Sequence, residues 1–266
     1  FVRNGFKHDA GPTVITAPFL LEELFELFNE KLEDHVQLVP LTPWYRFYFS
    51  DKTTFDYGGT IEDTLAEIDK IEPRDKEGYK KLLIHSKNIY DIAFTKLSAI
   101  PFDRFMLMIS LVPKLLVLKS YESVWGMVSR HLMNPKLRQA FSIQPLLVGG
   151  SPFSTTSIYG LIHYLERRFG IFFPMGGTGA IVNAYKNLME RNNIEIILNQ
   201  SVKKIIIDNG KAVGLTLDDG SKVGADIIVS NADPTYLYQN MVDQEDVAIA
   251  SKVKIKLAHY SMGLMV

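Results

Sequence analysis

Phe173-Pro174-Met175-Gly176-Gly177-Thr178-Gly179-Ala180, with Pro145-Leu146-Leu147-Val148-Gly149-Gly150 upstream of it, decides how this chain reads. Each stretch carries paired glycines, which turn the backbone where other residues would be strained. Between them lies one amphipathic segment, and residues 178–191 after the second turn have helical spacing. The predicted order is glycine turn, helix, glycine turn, helix. The second helix opens on N–H groups that its own turns leave free, a place for an anion or the polar edge of a ligand.

Composition limits what such a ligand is. The 266 residues are 47% hydrophobic and 22% charged, enough apolar material for one large domain or two interleaved ones. A formal net charge of -1 supplies no field for a polyanion, so nucleic acid is not an expected partner. There is no cysteine, which excludes disulfides, thiolate metal sites and thiol nucleophiles and leaves a cytoplasmic location as the default. No paired carboxylate stands beside a histidine, and Gly-x-Ser-x-Gly and His-Glu-x-x-His do not occur, so hydrolysis and metal catalysis have no candidate residues. His163, on the apolar helix after Gly149-Gly150, reads as a core histidine. Starting at Phe1 and ending in the apolar Met265-Val266, the chain reads as a piece of a longer protein with an unfinished strand at its end.

Working outward, Phe19, Leu20, Leu24, Leu27 and Phe28 alternate with glutamates at helical spacing. Extended runs around residues 36–39, 44–49 and 53–57, punctuated by Pro40, Pro43 and Gly58-Gly59, predict a small antiparallel sheet. Ile61 to Leu165 is mainly helical in pattern, with Asn134-Pro135 as a cap and first turn and with Pro101 and Pro113 bracketing a very apolar helix. Ile194 to Leu198 reads as a short buried strand. Val202 to Val229 reads as strands joined by turns at Asp208-Asn209-Gly210 and Asp218-Asp219-Gly220. The fold class is therefore α/β, with a helical insertion between its front and back pieces, which should meet in space.

Asp9-Ala10-Gly11-Pro12-Thr13, the two glycine stretches above and Ser230-Asn231-Ala232-Asp233 follow one another in this order, and with them the whole chain resembles the bacterial-type phytoene desaturases of the flavin amine oxidase-like superfamily. The resemblance implies FAD as cofactor. It also implies a discontinuous Rossmann-like FAD-binding domain, residues 1–35 and 170–251. A mixed helical and antiparallel-sheet domain for substrate and membrane, residues 36–169 and 252–266 with a final strand from about 252, interrupts it. The Gly-x-Gly-x-x-Gly fingerprint and the family's C-terminal flavin segment are missing here, so the cofactor expectation rests on the middle of the chain.

Residue by residue, the resemblance brings Asp9, Gly11, Pro12 and Thr13 close to the flavin ring, with an ordinary turn as the plain alternative. Gly176, Gly177 and Thr178 face the cofactor or simply start a helix. Val202 lends backbone to the adenine or is a core residue. Asn231, Ala232 and Asp233 contact the cofactor or cap the helix at Pro234. Arg46 reads as a structural pairing residue, and no catalytic base is assigned. Phe153, Tyr159, Ile162 and Leu165 are candidates to line a tunnel for a C40 polyene, against packing in the core.

The expected function is hydride removal from phytoene to flavin, in the cytoplasm and peripheral to a membrane, with homo-oligomerisation left open. A carotenoid isomerase or ketolase, a flavin amine oxidase, or a non-enzymatic lipid-binding adaptor would share much of this sequence. Pro101 to Leu118, flanked by Arg104, Lys114 and Lys119, reads either as a buried helix or as one lying in the membrane interface, with Met108 and Leu111 as lipid-facing positions.

Overall fold

The computed structural model describes the chain except Ala10, Pro12, residues 96–104 and 259–266, and the side chains of Phe105, Leu107 and Met108. Contacts divide it into two compact units, Phe1–Leu188 and Met189–Tyr260.

The first unit opens with the two short strands β1 (Val2–Arg3) and β2 (Phe6–Lys7), then α1 (Pro18–Glu26) and β3 (Leu38–Pro40). The hairpin β4 (Tyr45–Tyr48) and β5 (Thr54–Tyr57) leads into α2 (Ile61–Ile71), α3 (Asp75–Ala93), α4 (Phe105–Val117), α5 (Val124–His131) and α6 (Pro135–Ala140). Then come α7 (Leu161–Phe169), β6 (Phe172–Pro174) and α8 (Thr178–Arg191). The front and the late part of this unit do meet: β3 pairs antiparallel with β6, and Ile15 bridges Phe172. Beneath that pairing Phe25, Leu32 and Val36 pack on Ile181, Ala184 and Leu188. The sheet predicted for residues 36–57 is thus split, because β3 joins β6 while β4 and β5 pair with each other.

A second core fills the helical block, where Phe55, Tyr57, Ile68, Tyr79, Leu82, Ile89, Met127, Val128, Leu137 and Phe141 are buried together. Local chemistry fixes its helix ends. Thr60 and Asp63 form a reciprocal capping box at the start of α2. The buried Asp75 carboxylate accepts from Met133 N at 2.7 Å and Asn134 N at 2.8 Å, and Asn134 in turn caps α6 through Lys136 N at 2.9 Å. Arg46 is a pairing residue, bidentate to Asp56 across the β4–β5 ladder at 2.6 and 2.7 Å. The apolar helix does not stop at Pro113. That residue is exposed and sits inside α4, where loss of one backbone hydrogen bond is tolerated on the open side. Pro101 and Arg104 lie outside the described residues.

The second unit contains β7 (Val202–Asp208), β8 (Lys211–Leu217) and β9 (Lys222–Gly224), an antiparallel meander turning at Asn209-Gly210 and at 218–220 as expected. The short α9 (Pro234–Tyr236) and α10 (Ile249–Lys256) follow. Three expectations fail here. Ile194 to Leu198 is neither strand nor buried, with Ile197 59% and Leu198 70% exposed, and no pairing partner for it occurs among the described residues. The strand run ends at Gly224, so Ile227 and Val229 stand exposed in irregular chain. The final strand placed from about 252 begins instead inside α10, whose Ile249 and Val253 recur at helical rather than strand spacing. The terminal Met265-Val266 lies outside the described residues.

Candidate functional site

Asp9 and the second glycine stretch meet. The Asp9 carboxylate accepts from the backbone of Thr178 at 3.1 Å and Gly179 at 3.4 Å, the first amides of α8, while Lys7 Nζ donates to Gly176 O. The anion expected at this helix N-terminus is therefore the chain's own, carried there by a residue about 170 positions earlier. Gly176 and Gly177 hold φ values of +90° and +80°. A Cβ on Gly177 would overlap Asp9 Oδ2, so glycine here permits the carboxylate's approach as well as the turn. Gly11 has φ +96° but faces open space, and Thr13 is exposed. Pro12 lies outside the described residues.

Of the four positions proposed for a substrate tunnel, Ile162 and Leu165 are buried in the packed interior and Tyr159 packs against the larger core. α7 turns Ile162 and Leu165 inward to cover α3, and a buried apolar residue carries no mark separating core from tunnel. Phe153 opens on a cavity. About 360 Å³ in volume, this cavity is lined by Trp125, Gln139, Ser142, Ile143, Leu146, Gly150, Pro152 and Phe153. Among its lining residues none is charged. Sequence reasoning missed Trp125 and Ile143, although the exposed apolar run Leu146-Leu147-Val148, 57%, 54% and 45% exposed, was a usable signal.

Elsewhere in this unit α7 carries a polar cluster that is largely buried. Arg167 lies over the rings of Trp44 and Tyr57, with centroids at 4.5 and 4.8 Å. It donates to Tyr79 Oη at 2.9 Å, Gly59 O at 2.7 Å, Thr60 O at 3.0 Å and also to Thr64 Oγ1. Beside it Glu166 accepts from Tyr45 Oη at 3.1 Å, and burial pushes its carboxyl up to about 8, so it stays protonated at neutral pH. His163 is fully buried, bonded through Nδ1 to Gln144 Nε2 at 3.1 Å, and burial pushes it down to about 3.

These two groups respond oppositely to pH. The folded His163 resists protonation far below its usual 6.5, so its contribution to stability is full above 6.5 and is lost as pH falls toward 3. Glu166 keeps its proton from 4.5 up to about 8, so it favours folding most below 4.5 and its contribution is lost as pH rises to 8. Glu166→Gln keeps an acceptor for Tyr45 without an ionisable group. It should raise the melting temperature by several degrees near pH 8 and change it little below pH 4.5, a sign that paired thermal melts would check.

In the second unit Val202 opens β7 with its side chain half-buried. Asn231 and Ala232 are exposed, and Asp233 caps α9 by accepting from Tyr236 N at 2.9 Å, the capping alternative read from Asp233-Pro234.

With this geometry in hand, comparison places the chain. A family model described as flavin containing amine oxidoreductase matches residues 1–255. The lycopene-forming phytoene desaturases of Pantoea ananas and Pseudescherichia vulneris are 38% and 39% identical to it, each over 99% of this chain and 54% of its own length. The neurosporene-forming enzyme of Rhodobacter capsulatus is 32% identical over 99% of this chain and 51% of its own. The chain thus spans about half the length of the curated relatives it matches. A solved putrescine oxidase variant, redesigned in cofactor binding, superposes with a TM-score of 0.54 at 12% identity over 89% of this chain and 50% of that one, which establishes a shared fold. On the match across residues 1–255, the chain belongs to the flavin-containing amine oxidoreductase family, with an α/β FAD-binding fold, and is similar along almost its whole length to bacterial phytoene desaturases.

Proposed function

We propose that the protein, at full length, desaturates a C40 carotenoid precursor such as phytoene at a membrane surface. The observation that carries this reading is the similarity to phytoene desaturases over 99% of the chain, and a cavity without charged lining residues supports it. FAD, when bound, supplies the hydride acceptor. What the chain itself supplies is binding, orientation and a dry apolar surround, which is why so few titratable side chains are needed.

Asp9, Gly11, Pro12, Thr13, Gly176, Gly177 and Thr178 are assigned to the flavin side, and Val202 with Asn231, Ala232 and Asp233 to the adenosine side. The first group suits an uncharged edge of the cofactor. Its helix amides already hold the Asp9 carboxylate, so a phosphate there would lack donors and meet like charge. The discontinuous domain plan, 1–35 with 170–251 around an inserted substrate domain, belongs to the same proposal. Chromatography and mass analysis of liposome-embedded phytoene incubated with the full-length protein test it. Loss of two hydrogens per step with a lengthened chromophore is expected. Unchanged mass would indicate isomerisation and added oxygen a ketolase.

Membrane contact is assigned to α4. Met106, Ile109, Val112, Leu116 and Val117 are exposed on it, with Lys114 and Lys119 at its end, a surface suited to lying among lipid headgroups. Among the described residues no helix is long and apolar enough to cross a membrane. Leu111, read from sequence as lipid-facing, is only 6% exposed and belongs to the interior, while the Met108 side chain lies outside the described residues. Ile109→Asp with Leu116→Asp should lower liposome flotation at least tenfold, since about 1.5–3 kcal/mol of transfer energy is lost per side chain, and leave the melting temperature nearly unchanged. Unaltered flotation would remove α4 from the membrane contact.

A further inference from the structure

We infer that the cavity lined by Trp125 and Phe153 holds one end of the hydrocarbon substrate, an inference that rests on the carotenoid reading above. Its construction favours a ligand site over a packing defect. Gly149 closes the 3₁₀ turn Gln144–Val148 in the left-handed conformation, and Gly150 N returns to Pro145 O at 2.8 Å. The following loop is clamped onto α5 by Trp125 N to Pro152 O and Val124 N to Thr155 O, both at 2.9 Å. The rings of Trp125 and Phe153 stand 5.1 Å apart and tilted by 48°, forming an aromatic wall. A volume of about 360 Å³ is at the lower end of the range for ligand sites, enough for a chain end and too small for a whole C40 molecule.

The lining chooses the ligand's chemistry. With no charged lining residue, a carboxylate or headgroup phosphate would lose its hydration without a partner, which disfavours a fatty acid or a phospholipid headgroup. Ser142, buried and with no partner for its Oγ, and Gln139 are the uncharged polar side chains of the lining. The route in is also built. Thr156 Oγ1 donates to Ser120 O, Ser157 N to Glu122 O at 2.8 Å and Ser157 Oγ to Lys119 O at 3.2 Å, tying the cavity loop to the segment that directly follows α4. The exposed Leu146-Leu147-Val148 rim and the exposed end of α4 thereby flank the same loop.

Retinol, an uncharged isoprenoid polyene that accepts excitation from tryptophan, is a suitable probe, and retinoic acid is its charged counterpart. In the full-length protein with Trp44 and every other tryptophan except Trp125 replaced by Phe, retinol emission excited through tryptophan should saturate, and should largely disappear when Trp125→Phe is added, with the affinity retained. Phe153→Glu should weaken retinol binding by about tenfold or more without lowering the melting temperature, because Phe153 is 66% exposed, and retinoic acid should bind the unaltered protein about tenfold more weakly than retinol. The same variant should raise the KM for phytoene. Unchanged retinol affinity in Phe153→Glu, or sensitised emission that survives Trp125→Phe, overturns the cavity assignment even if phytoene is converted normally. Retinol bound at Trp125 in a protein that never converts phytoene overturns the substrate reading instead.

Discussion

Gly177→Ala should strip the full-length protein of flavin while leaving the helical block folded. The new Cβ sits on a backbone with φ +80°, which costs about 1–2 kcal/mol, and it overlaps the Asp9 carboxylate that caps α8, at about 1 kcal/mol more. Both the turn and the Asp9 contact must shift, and together they form the surface assigned to the flavin. Gly11→Ala is the control, since its Cβ would face open space and only the φ strain remains. Flavin absorbance per chain, measured beside the melting temperature, should fall severalfold for Gly177→Ala and modestly for Gly11→Ala. If the overlap with Asp9 is the cause, adding Asp9→Ala to Gly177→Ala should cost less than the sum of the two single changes. Full additivity would show that the carboxylate plays no part.

Arg167→Met carries the largest expected loss of stability, about 3–5 kcal/mol. The guanidinium donates to three backbone carbonyls and two hydroxyls and lies over three rings, and methionine fills the space without replacing any donor. The orphaned groups then pay their desolvation cost. Arg167→Lys should recover little, because one ammonium cannot reproduce the planar fork. Denaturant titration of both variants measures this. A loss below about 1 kcal/mol for Arg167→Met would mean that solvent replaces the network freely.

Legibility in the sequence followed from how local each feature's cause is. Helices bounded by their own caps, such as α6 behind Asn134-Pro135 and α8 after Gly176-Gly177, were readable, as were the meander turns at 208–210 and 218–220. The β3–β6 pairing was not, because nothing in residues 36–40 says that the partner lies some 130 residues later rather than in the adjacent hairpin. Ile194 to Leu198 failed because an apolar run becomes a strand only where a neighbour accepts its hydrogen bonds.

The site divided in the same way. Glycines at 176 and 177 announce a close approach, but not that the approaching group is Asp9. Arg167 and Glu166 were not singled out from the sequence, because their network depends on Tyr45, Thr64 and Tyr79 from three other elements. Phe153 lines a cavity while Ile162 and Leu165 are buried, a difference in exposure that their shared apolar character did not reveal.

The most direct test of the account is to mix the full-length, FAD-loaded protein with phytoene in liposomes without oxygen and to follow the visible flavin bands and the polyene spectrum together. The account predicts that the flavin bands bleach in step with the appearance of a longer conjugated chromophore, one two-electron reduction for each new double bond. A flavin that stays oxidised while the carotenoid spectrum is unchanged, in a protein shown to bind both, would contradict it.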